Sequence, residues 1–352
     1  MEGLSFSRYR ALKAQSHMGD ELSSYGHAGG GRKGRAVCPR VGVITNPRSH
    51  RNTGGEAGDP SRAEIEIAAP ATKPAIGEAL KGFADRGIDL LVVSGGDGTV
   101  RDVLTMGQTV FGADWPAIAV LPRGKTNALN ADLRVPAGWT LDNAIEAFRN
   151  GGRLNRRPLA VRRLDTDGTG EPMLGFILGA GIFTLGIDTG QDAHRMGFVD
   201  SLAVGLTSAW GIAQTVFGGP ANRWRRGTAM RLTDIETGRE LPRSAQGEPG
   251  RRSILLASTL GRMPLGIHLF GKGQEGIRLA VLDAPLRRVM GFVPAMLAGW
   301  HPRWLAGAGL HHLSLTGFEM DIGDAFVLDG ESFPAGRYQI DLGPDLTFVT
   351  TR

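Results

Sequence analysis

The sequence has little cysteine, no recognisable secretion signal and few lysines, and the first two shortages each argue against a class of protein. Cys38 is the single cysteine among 352 residues, which excludes an internal disulfide and a cysteine-based zinc site and is typical of a reducing compartment. Residues 1–38 lack the uninterrupted apolar run of a signal peptide. We expect them to form a flexible basic tail, in which residues 29–35 are a glycine-rich linker.

Charge constrains the partners only broadly. Six of the 40 basic residues are lysines, the formal net charge is +5, and the sequence pI is about 9.7. This modest positive excess suits a nucleotide, a nucleic acid or an acidic membrane leaflet, and it does not choose among them. Apolar and charged contents are ordinary, so a chain of 352 residues can build about two domains with proper cores.

Two apolar segments raise the question of a membrane span. Residues 201–222 carry no charge, but their polar side chains cluster on one side of a helix, so we favour a packed amphipathic helix over residues 197–217. A second helical segment, residues 286–304, has an apolar run too short to cross a bilayer. It combines arginines with Trp300 and Trp304. Two interpretations of this segment are open: an interfacial membrane contact, or a core helix with solvated ends. The same two interpretations apply to residues 224–226.

The most informative stretch is residues 88–100. An apolar run typical of a buried parallel strand leads into Gly95, Gly96 and Gly98, and a helical pattern follows. This arrangement points free backbone N–H groups and the positive end of a helix at an anion. A phosphate would repel Asp97 inside the turn unless a divalent cation lies between them or the carboxylate handles a proton. An ordinary strand-to-helix turn is the alternative.

Strands and helices alternate over residues 39–152, which predicts an α/β domain with a parallel sheet. The predicted strands are residues 41–45, 63–69, 88–93 and 117–121, and the predicted helices are residues 72–86, 100–111 and 141–148. Ligands of such sheets bind at the carboxyl ends of the strands. Asn46, Thr72, residues 95–99 and residues 124–127 all fall at such ends.

Residues 153–340 change to short strands and turns, which predicts an antiparallel β domain. The strand candidates are residues 153–164, 174–183, 228–233, 253–260, 277–282, 312–318, 325–328 and 337–342. Asp329-Gly330-Glu331 follows an apolar strand as a turn. A plain surface hairpin would have the same sequence pattern.

Five motifs in chain order carry a family resemblance. They are Asn46-Pro47, Thr72, Gly95-Gly96-Asp97-Gly98-Thr99, Pro122-x-Gly124-x-Thr126-Asn127 and Asp329-Gly330-Glu331. Over residues 40–352 they resemble the lipid kinases of the diacylglycerol kinase family, whose GGDGT signature also occurs in sphingosine, ceramide and NAD kinases. The resemblance implies an N-terminal parallel-sheet nucleotide domain (NAD kinase/diacylglycerol kinase-like) over residues 39–152. It also implies a C-terminal antiparallel β-sandwich for the lipid over residues 153–340, and a chain end, residues 341–352, that returns to the first domain.

The same resemblance assigns the candidate site. It implies that ATP is held by Asn46, Pro47, Arg48, Ser49, Thr72, Gly95, Gly96, Gly98, Thr99, Gly124, Lys125, Thr126 and Asn127. Glu331 matches the family's proton acceptor, and Asp97 matches the signature carboxylate, which acts on the metal or as the base. A lipid hydroxyl has a high pKa, so one group must take its proton while Mg²⁺ neutralises the phosphates.

The chain departs from the family pattern in two places. Lys125 and Ala128 stand where the family usually has Thr and Asp. Residues 270–277 keep only Glu275-Gly276 of the acidic segment that holds a structural Mg²⁺ in bacterial members, which argues against that second metal site. His311-His312 is discounted as a metal site because adjacent residues of a strand point to opposite faces.

We therefore expect a lipid kinase that uses ATP and Mg²⁺ to phosphorylate a hydroxyl of diacylglycerol, a ceramide or a sphingoid base. The alternatives are a non-catalytic lipid-binding protein on a kinase scaffold and a kinase for NAD or another soluble metabolite. The expected partners are ATP, a lipid with a free hydroxyl and a peripheral membrane surface, with no nucleic acid. A homo-oligomer stays open. The expected location is cytoplasmic, on the inner face of the membrane.

Overall fold

A computed structural model describes residues 38–46, 63–165, 170–181, 227–245, 248–263, 266–270, 275–284 and 286–351. The predicted helix over residues 197–217, the predicted tail before residue 38 and residues 224–226 lie outside the described residues. Pro47, Arg48 and Ser49 lie outside them as well.

The elements fall into an α/β part and a β-rich part. The α/β part contains β1 (Arg40–Thr45), β2 (Glu64–Ala68), α1 (Lys73–Asp85), β3 (Leu90–Gly95), α2 (Asp97–Phe111), β4 (Ala117–Pro122), α3 (Ala128–Asp132), α4 (Leu141–Arg149) and β5 (Arg153–Arg156). The β-rich part begins with β6 (Leu159–Arg163), β7 (Met173–Gly175), β8 (Ile177–Gly181), β9 (Thr228–Asp234), β10 (Arg251–Arg252), β11 (Ile254–Ser258) and β12 (Ile277–Leu282). It continues with α5 (Arg287–Gly291), α6 (Val293–Leu297), α7 (Trp304–Gly307), β13 (Leu310–Leu315), β14 (Gly317–Ile322), β15 (Phe326–Leu328), β16 (Glu331–Phe333) and β17 (Gly336–Leu342), and the final strand is β18 (Leu346–Val349).

The first sheet has the strand order β2-β1-β3-β4-β18-β5, and its pairs are parallel except β18 with β5. All six residues of β3 are buried, as expected for a parallel strand covered on both faces. Helices α1, α2 and α4 contribute buried side chains to the same core. The mostly parallel sheet predicted for this part of the chain is confirmed.

The start and end of α1 follow from local sequence. Thr72 has an extended backbone, and its Oγ1 accepts a hydrogen bond from Ala75 N at 3.3 Å, which satisfies a free N–H of the first turn. Pro74 lies in that first turn, where its missing N–H costs nothing. Gly87 follows the helix with φ of +62°, a conformation that glycine adopts without strain.

Two antiparallel sheets form the β-rich part. Their strand orders are β10-β9-β14-β17-β6-β7 and β13-β12-β11-β8-β15-β16. One apolar core contains side chains from both sheets, including Val161 and Ile340 from the first and Leu255 and Leu279 from the second. The predicted C-terminal antiparallel β-sandwich is confirmed.

Three of the predicted strands are each divided in the structure into two strands, and the two belong to different sheets. The candidate over 174–183 divides into β7 and β8, that over 312–318 into β13 and β14, and that over 153–164 into β5 and β6. Between β7 and β8, the backbone N–H groups of Phe176 and Ile177 bond the Asp329 carboxylate at 2.9 Å each instead of a neighbouring strand. Alternating apolar residues continue through such a corner, so the sequence pattern does not reveal the change of sheet.

The segment over residues 286–304 is not one helix, as predicted: it contains the short helices α5 and α6 and ends where α7 begins at Trp304. Pro294 at the start of α6 lacks the N–H that a continuing helix would need. Gly299 follows α6 with φ of +97°, which ends the helical path. Within the part of the chain that the structure describes, no helix is long and apolar enough to cross a membrane.

The last strand, β18, lies in the first sheet between β4 and β5. β5 also lies in that sheet, although it follows residue 152. The described residues from Cys38 onward belong to one compact unit, and the bounds 39–152, 153–340 and 341–352 stay a prediction.

Candidate active site

A cleft of about 350 Å³ lies at the carboxyl ends of β1, β2 and β3. Three of the residues predicted to hold ATP line it, namely Asn46, Thr72 and Thr99. They are joined by Lys73 and Asp102, which the sequence analysis did not select. The cleft is where ligands of open α/β sheets bind.

Side-chain contacts hold two of these residues together. Asn46 Nδ2 donates to Thr99 Oγ1 at 3.0 Å, and Asn46 N donates to Ser94 O at 3.1 Å. The end of β1 is thereby tied to the start of α2. No side chain caps that helix start, whose N-cap residue is Gly96. Gly96 has no side chain with which to cap this first turn, and the first N–H groups of a helix point in the direction from which an anion can bind.

The two predicted phosphate turns touch each other through glycines. A Cβ added to Gly124 would lie 2.5 Å from Gly96 Cα, so a side chain at this position would force the turns apart. Asn127, at φ of +50°, closes the second turn because its side chain accepts from Gly124 N and donates to Gly124 O, both at 2.8 Å. Gly124 and Asn127 therefore shape the turn itself. Lys125 and Thr126 at its tip are exposed.

Asp97 joins the two turns. Its Oδ2 accepts from Ala128 N at 3.1 Å and its Oδ1 accepts from Leu129 N at 3.4 Å, at the start of α3. Burial raises the pKa of Asp97, and these backbone N–H groups act against the rise. Asp97 therefore has a structural task in addition to any chemical one.

The Asp329-Gly330-Glu331 motif is the turn of the β15–β16 hairpin. Asp329 and Gly330 have φ of +46° and +84°, and Leu328 pairs with Glu331, which is the geometry of a two-residue type I′ turn. The Asp329 carboxylate faces inward to Phe176 N and Ile177 N. Loss of water around this carboxylate, together with the charge of Asp97, raises the pKa of Asp329 to about 7.

Glu331 approaches the cleft from the β-rich part. Lys73 Nζ lies 3.1 Å from Glu331 Oε1 and 3.4 Å from Asp102 Oδ1. Arg101 donates from Nη2 to Glu331 Oε2 and, at 2.8 Å, to Asp102 Oδ1. The Glu331 side chain is 40% exposed, so a ligand in the cleft can reach it.

Polar side chains along one face of α2 form hydrogen bonds with the backbone of the β-rich part. Arg101 Nη1 donates to Leu328 O at 3.0 Å, Thr105 Oγ1 accepts from Leu174 N at 2.9 Å, and Gln108 Nε2 donates to Pro172 O at 2.7 Å. Together with Asp97, these residues are spaced at 97, 101, 105 and 108, which puts them on one helix face. That spacing of polar residues within an apolar helix is the signal that the sequence analysis missed.

Among the described residues no group of three or more His, Cys, Asp and Glu side chains is placed to hold a metal ion. This finding does not test Mg²⁺ bound with a nucleotide, because Mg²⁺ usually takes one or two carboxylates and fills its remaining positions with phosphate oxygens and water. The assignment of Asp97 as a metal ligand stays a prediction.

Comparisons with known proteins agree with this fold. Residues 40–157 match the family model described as diacylglycerol kinase catalytic domain. A crystal structure described as a diacylglycerol kinase from Bacillus anthracis str. Sterne is similar with a TM-score of 0.56 at 15% identity, covering 90% of this chain and 98% of that one. Another from the same organism, provisionally assigned to that class, has a TM-score of 0.62 at 15% identity, covering 90% and 99%. A comparison with curated proteins finds no match.

The α/β sheet with its touching glycine turns and the attached antiparallel sandwich form a fold that this chain shares with those two structures. Within it, residues 40–157 are similar to a diacylglycerol kinase catalytic domain. The resemblance stated from the motifs is confirmed at that level.

Proposed function

We propose that the protein is an ATP-dependent lipid kinase. It transfers the γ-phosphoryl group to a hydroxyl of a lipid such as diacylglycerol, a ceramide or a sphingoid base. The observation that carries the proposal is the position of Glu331. This carboxylate comes from the β-rich part and bonds Lys73 and Arg101 of the α/β part at the edge of the cleft.

The cleft fits a nucleotide. Asn46, Thr72 and Thr99 supply amide and hydroxyl groups, and the start of α2 supplies backbone N–H groups for phosphate oxygens. Lys73 adds a positive charge at the same edge, and Lys125 is exposed on the neighbouring turn, where it can reach a phosphate. Pro47, Arg48 and Ser49 stay part of the proposed ATP site by resemblance alone.

Glu331 is the proposed general base. It lies in a partly exposed position that an acceptor hydroxyl can reach, and Arg101 and Lys73 hold its two oxygens in place. After it takes the proton, the hydroxyl oxygen attacks the γ-phosphorus and ADP leaves. The charge of Lys73 lies where it can offset charge that develops on the transferred group.

The residues present also fit Mg²⁺ brought in with ATP. Asp97 and Asp102 are carboxylates beside the cleft, one at the glycine turn and one in its lining. When bound, Mg²⁺ would neutralise part of the negative charge of the phosphates. Asp97 Oδ2 accepts from Ala128 N and Oδ1 accepts from Leu129 N, and Asp97 lies at the turn where the phosphates would bind, so a metal held by those phosphates is within its reach.

The test is transfer from radiolabelled ATP. The full chain is incubated with labelled ATP, Mg²⁺ and a total lipid extract, with NAD in a parallel reaction, and the products are separated and identified. We expect label in a phosphorylated lipid and a large loss of that label in Glu331→Gln.

Two results would overturn the proposal. Label on NAD alone would make the protein a soluble-metabolite kinase. Lipid binding with no label in any product would make it a non-catalytic lipid-binding protein on this scaffold.

A further inference from the structure

The three short helices α5–α7 form a cover over the edge of the second β-sheet. Val289, Met290, Met296 and Leu305 point inward and, with Leu282 and Leu310 of the sheet, form a core cluster of their own. This inner side explains why the segment is apolar. It leaves unexplained the aromatic side chains on the outside.

The outer side of the cover carries two exposed tryptophans, and the half-buried Phe292, which also packs against the inner core cluster, contacts both of them. The Phe292 ring lies 4.9 Å from the Trp300 ring and 5.4 Å from the Trp304 ring, centroid to centroid. Trp300 is 63% exposed and Trp304 is 42% exposed. A segment that is apolar on both sides needs a second apolar partner beyond its own core.

Positive charge surrounds these rings. Arg287, Arg288 and Arg303 are exposed, and the Arg288 guanidinium carbon lies 5.9 Å from the centre of the Trp304 ring. Residues 284–318 contain no Asp or Glu. The partner should therefore be apolar inside and negatively charged at its surface.

We propose that this Trp–Arg surface (Phe292, Trp300, Trp304, Arg287, Arg288 and Arg303) docks on an anionic lipid bilayer. Tryptophan rings lie favourably at the level of the lipid headgroups, and arginines are attracted to an acidic leaflet. The helices are four or five residues long, so they lie in the interface rather than cross it.

Charge argues against a second copy of this chain as the occupant. A two-fold dimer brings the same patch of each protomer together, which would face the three arginines with the arginines of the partner. An anionic bilayer neutralises them instead.

The surface is separate from the candidate active site. It lies over β11–β13, whereas Glu331 belongs to β16 at the opposite edge of the same six-stranded sheet. Five strand spacings of about 4.8 Å put the two edges roughly 24 Å apart. Docking is therefore a property beyond the proposed reaction, and its test needs no turnover.

The experiment is vesicle flotation of the full chain. Vesicles of phosphatidylcholine mixed with phosphatidylglycerol are compared with vesicles of phosphatidylcholine alone. Arg287→Gln combined with Arg288→Gln should weaken binding to the anionic vesicles about fivefold per arginine, and so about 25-fold for the pair. Trp300→Ser combined with Trp304→Ser should weaken it by about tenfold or more.

Matched pairs provide the controls. Arg162→Gln with Arg231→Gln removes two exposed arginines from the other β-sheet. Ile67→Ser with Ile235→Ser removes two exposed apolar side chains elsewhere, which are 48% and 37% exposed. Both pairs should bind like wild type, and unchanged thermal unfolding midpoints would show that every variant is folded.

Three outcomes would overturn the proposal: no binding to anionic vesicles by the wild-type chain, equal losses in the control pairs, or full binding by folded Trp and Arg variants. Sedimentation that reveals a dimer abolished by the Trp pair, with vesicle binding intact, would instead assign the surface to self-association.

Discussion

Arg101 and Glu331 form an ion pair although 230 residues separate them in the sequence. Arg101 is only 4% exposed, and its guanidinium also bonds Leu328 O at 3.0 Å and Asp102 Oδ1 at 2.8 Å. One buried side chain of α2 therefore sets the position of the hairpin that carries Glu331. We infer that Arg101 is a positioning residue for the proposed base.

Arg101→Lys tests this relationship. Lysine keeps the charge but cannot form the planar fork that reaches Leu328 O, Asp102 and Glu331 together. We expect a loss of about 1–3 kcal/mol in the free energy of unfolding, measured by denaturant titration. We also expect a fall in kcat with a smaller change in the KM for ATP.

Arg337→Lys is its control, because Arg337 forms an exposed pair with Glu319 at 3.5 Å. Such a pair contributes less than about 1 kcal/mol. Wild-type kcat in a folded Arg101→Lys protein would show that the guanidinium does not position the base.

Asp329 should make folding stability depend on pH. Its pKa is raised to about 7 in the folded chain, so between about pH 4 and pH 7 the unfolded chain loses this proton while the folded chain keeps it. Asp329 therefore contributes most to the free energy of unfolding at low pH. This contribution falls as the pH rises from about 4 to about 7, and it is constant above pH 7. The slope is up to about 1.4 kcal/mol per pH unit.

Asp329→Asn removes this titration. The free energy of unfolding of wild type minus that of the variant, measured by urea titration at a series of pH values, should decrease from pH 4 to pH 7 and then level off. Asp324→Asn, on an exposed site near β15, is the control and should give a flatter difference. A difference for Asp329→Asn that rises with pH would mean that the two backbone N–H groups lower the pKa more than burial raises it.

Much of the α/β part was predictable because its signals are local. The Thr72 cap, the apolar run of β3 and the glycines after it each act on residues within a few positions. Most strands of the β-rich part were also predicted, but β10 and β16 were not, and the sequence did not show which sheet each strand belongs to. The corner at Phe176 depends on Asp329, whose partner atoms lie 153 and 152 residues away.

The candidate site was predictable only where motifs carry it. Asn46, Thr72 and Thr99 were selected by resemblance and line one cleft. Lys73 and Arg101 were not selected from the sequence, because their partner Glu331 is remote in sequence. The four-residue spacing from Asp97 to Arg101 was the available signal, and a charged residue within an apolar helix stripe is reason to look for a buried partner.

Asp97→Asn separates the structural task of Asp97 from its proposed chemical one. Asparagine keeps one oxygen that can accept from the start of α3, so we expect a folded protein that loses about 1 kcal/mol of stability. It cannot bind the metal or take a proton as a carboxylate does, so transfer to lipid should be abolished. Asp114→Asn, exposed beyond the other end of α2, should keep full activity. Near wild-type turnover in Asp97→Asn would limit Asp97 to its role at the α3 start.

Glu331→Gln tests the proposed base most directly. Glutamine keeps the length of the side chain and an oxygen that Arg101 or Lys73 can bond, so the hairpin should stay in place, but the amide cannot take a proton at neutral pH. Loss of a general base typically costs about 10²–10⁴ in rate. The cleft residues Asn46 and Thr72 are untouched, so calorimetry should give nearly unchanged ATP affinity while kcat falls.

Glu319→Gln is the matched control, since both side chains are partly exposed and paired with an arginine, at 45% and 40% exposure. A fall in kcat of less than about tenfold, well below that general-base range, would move the role of base from Glu331 to Asp97.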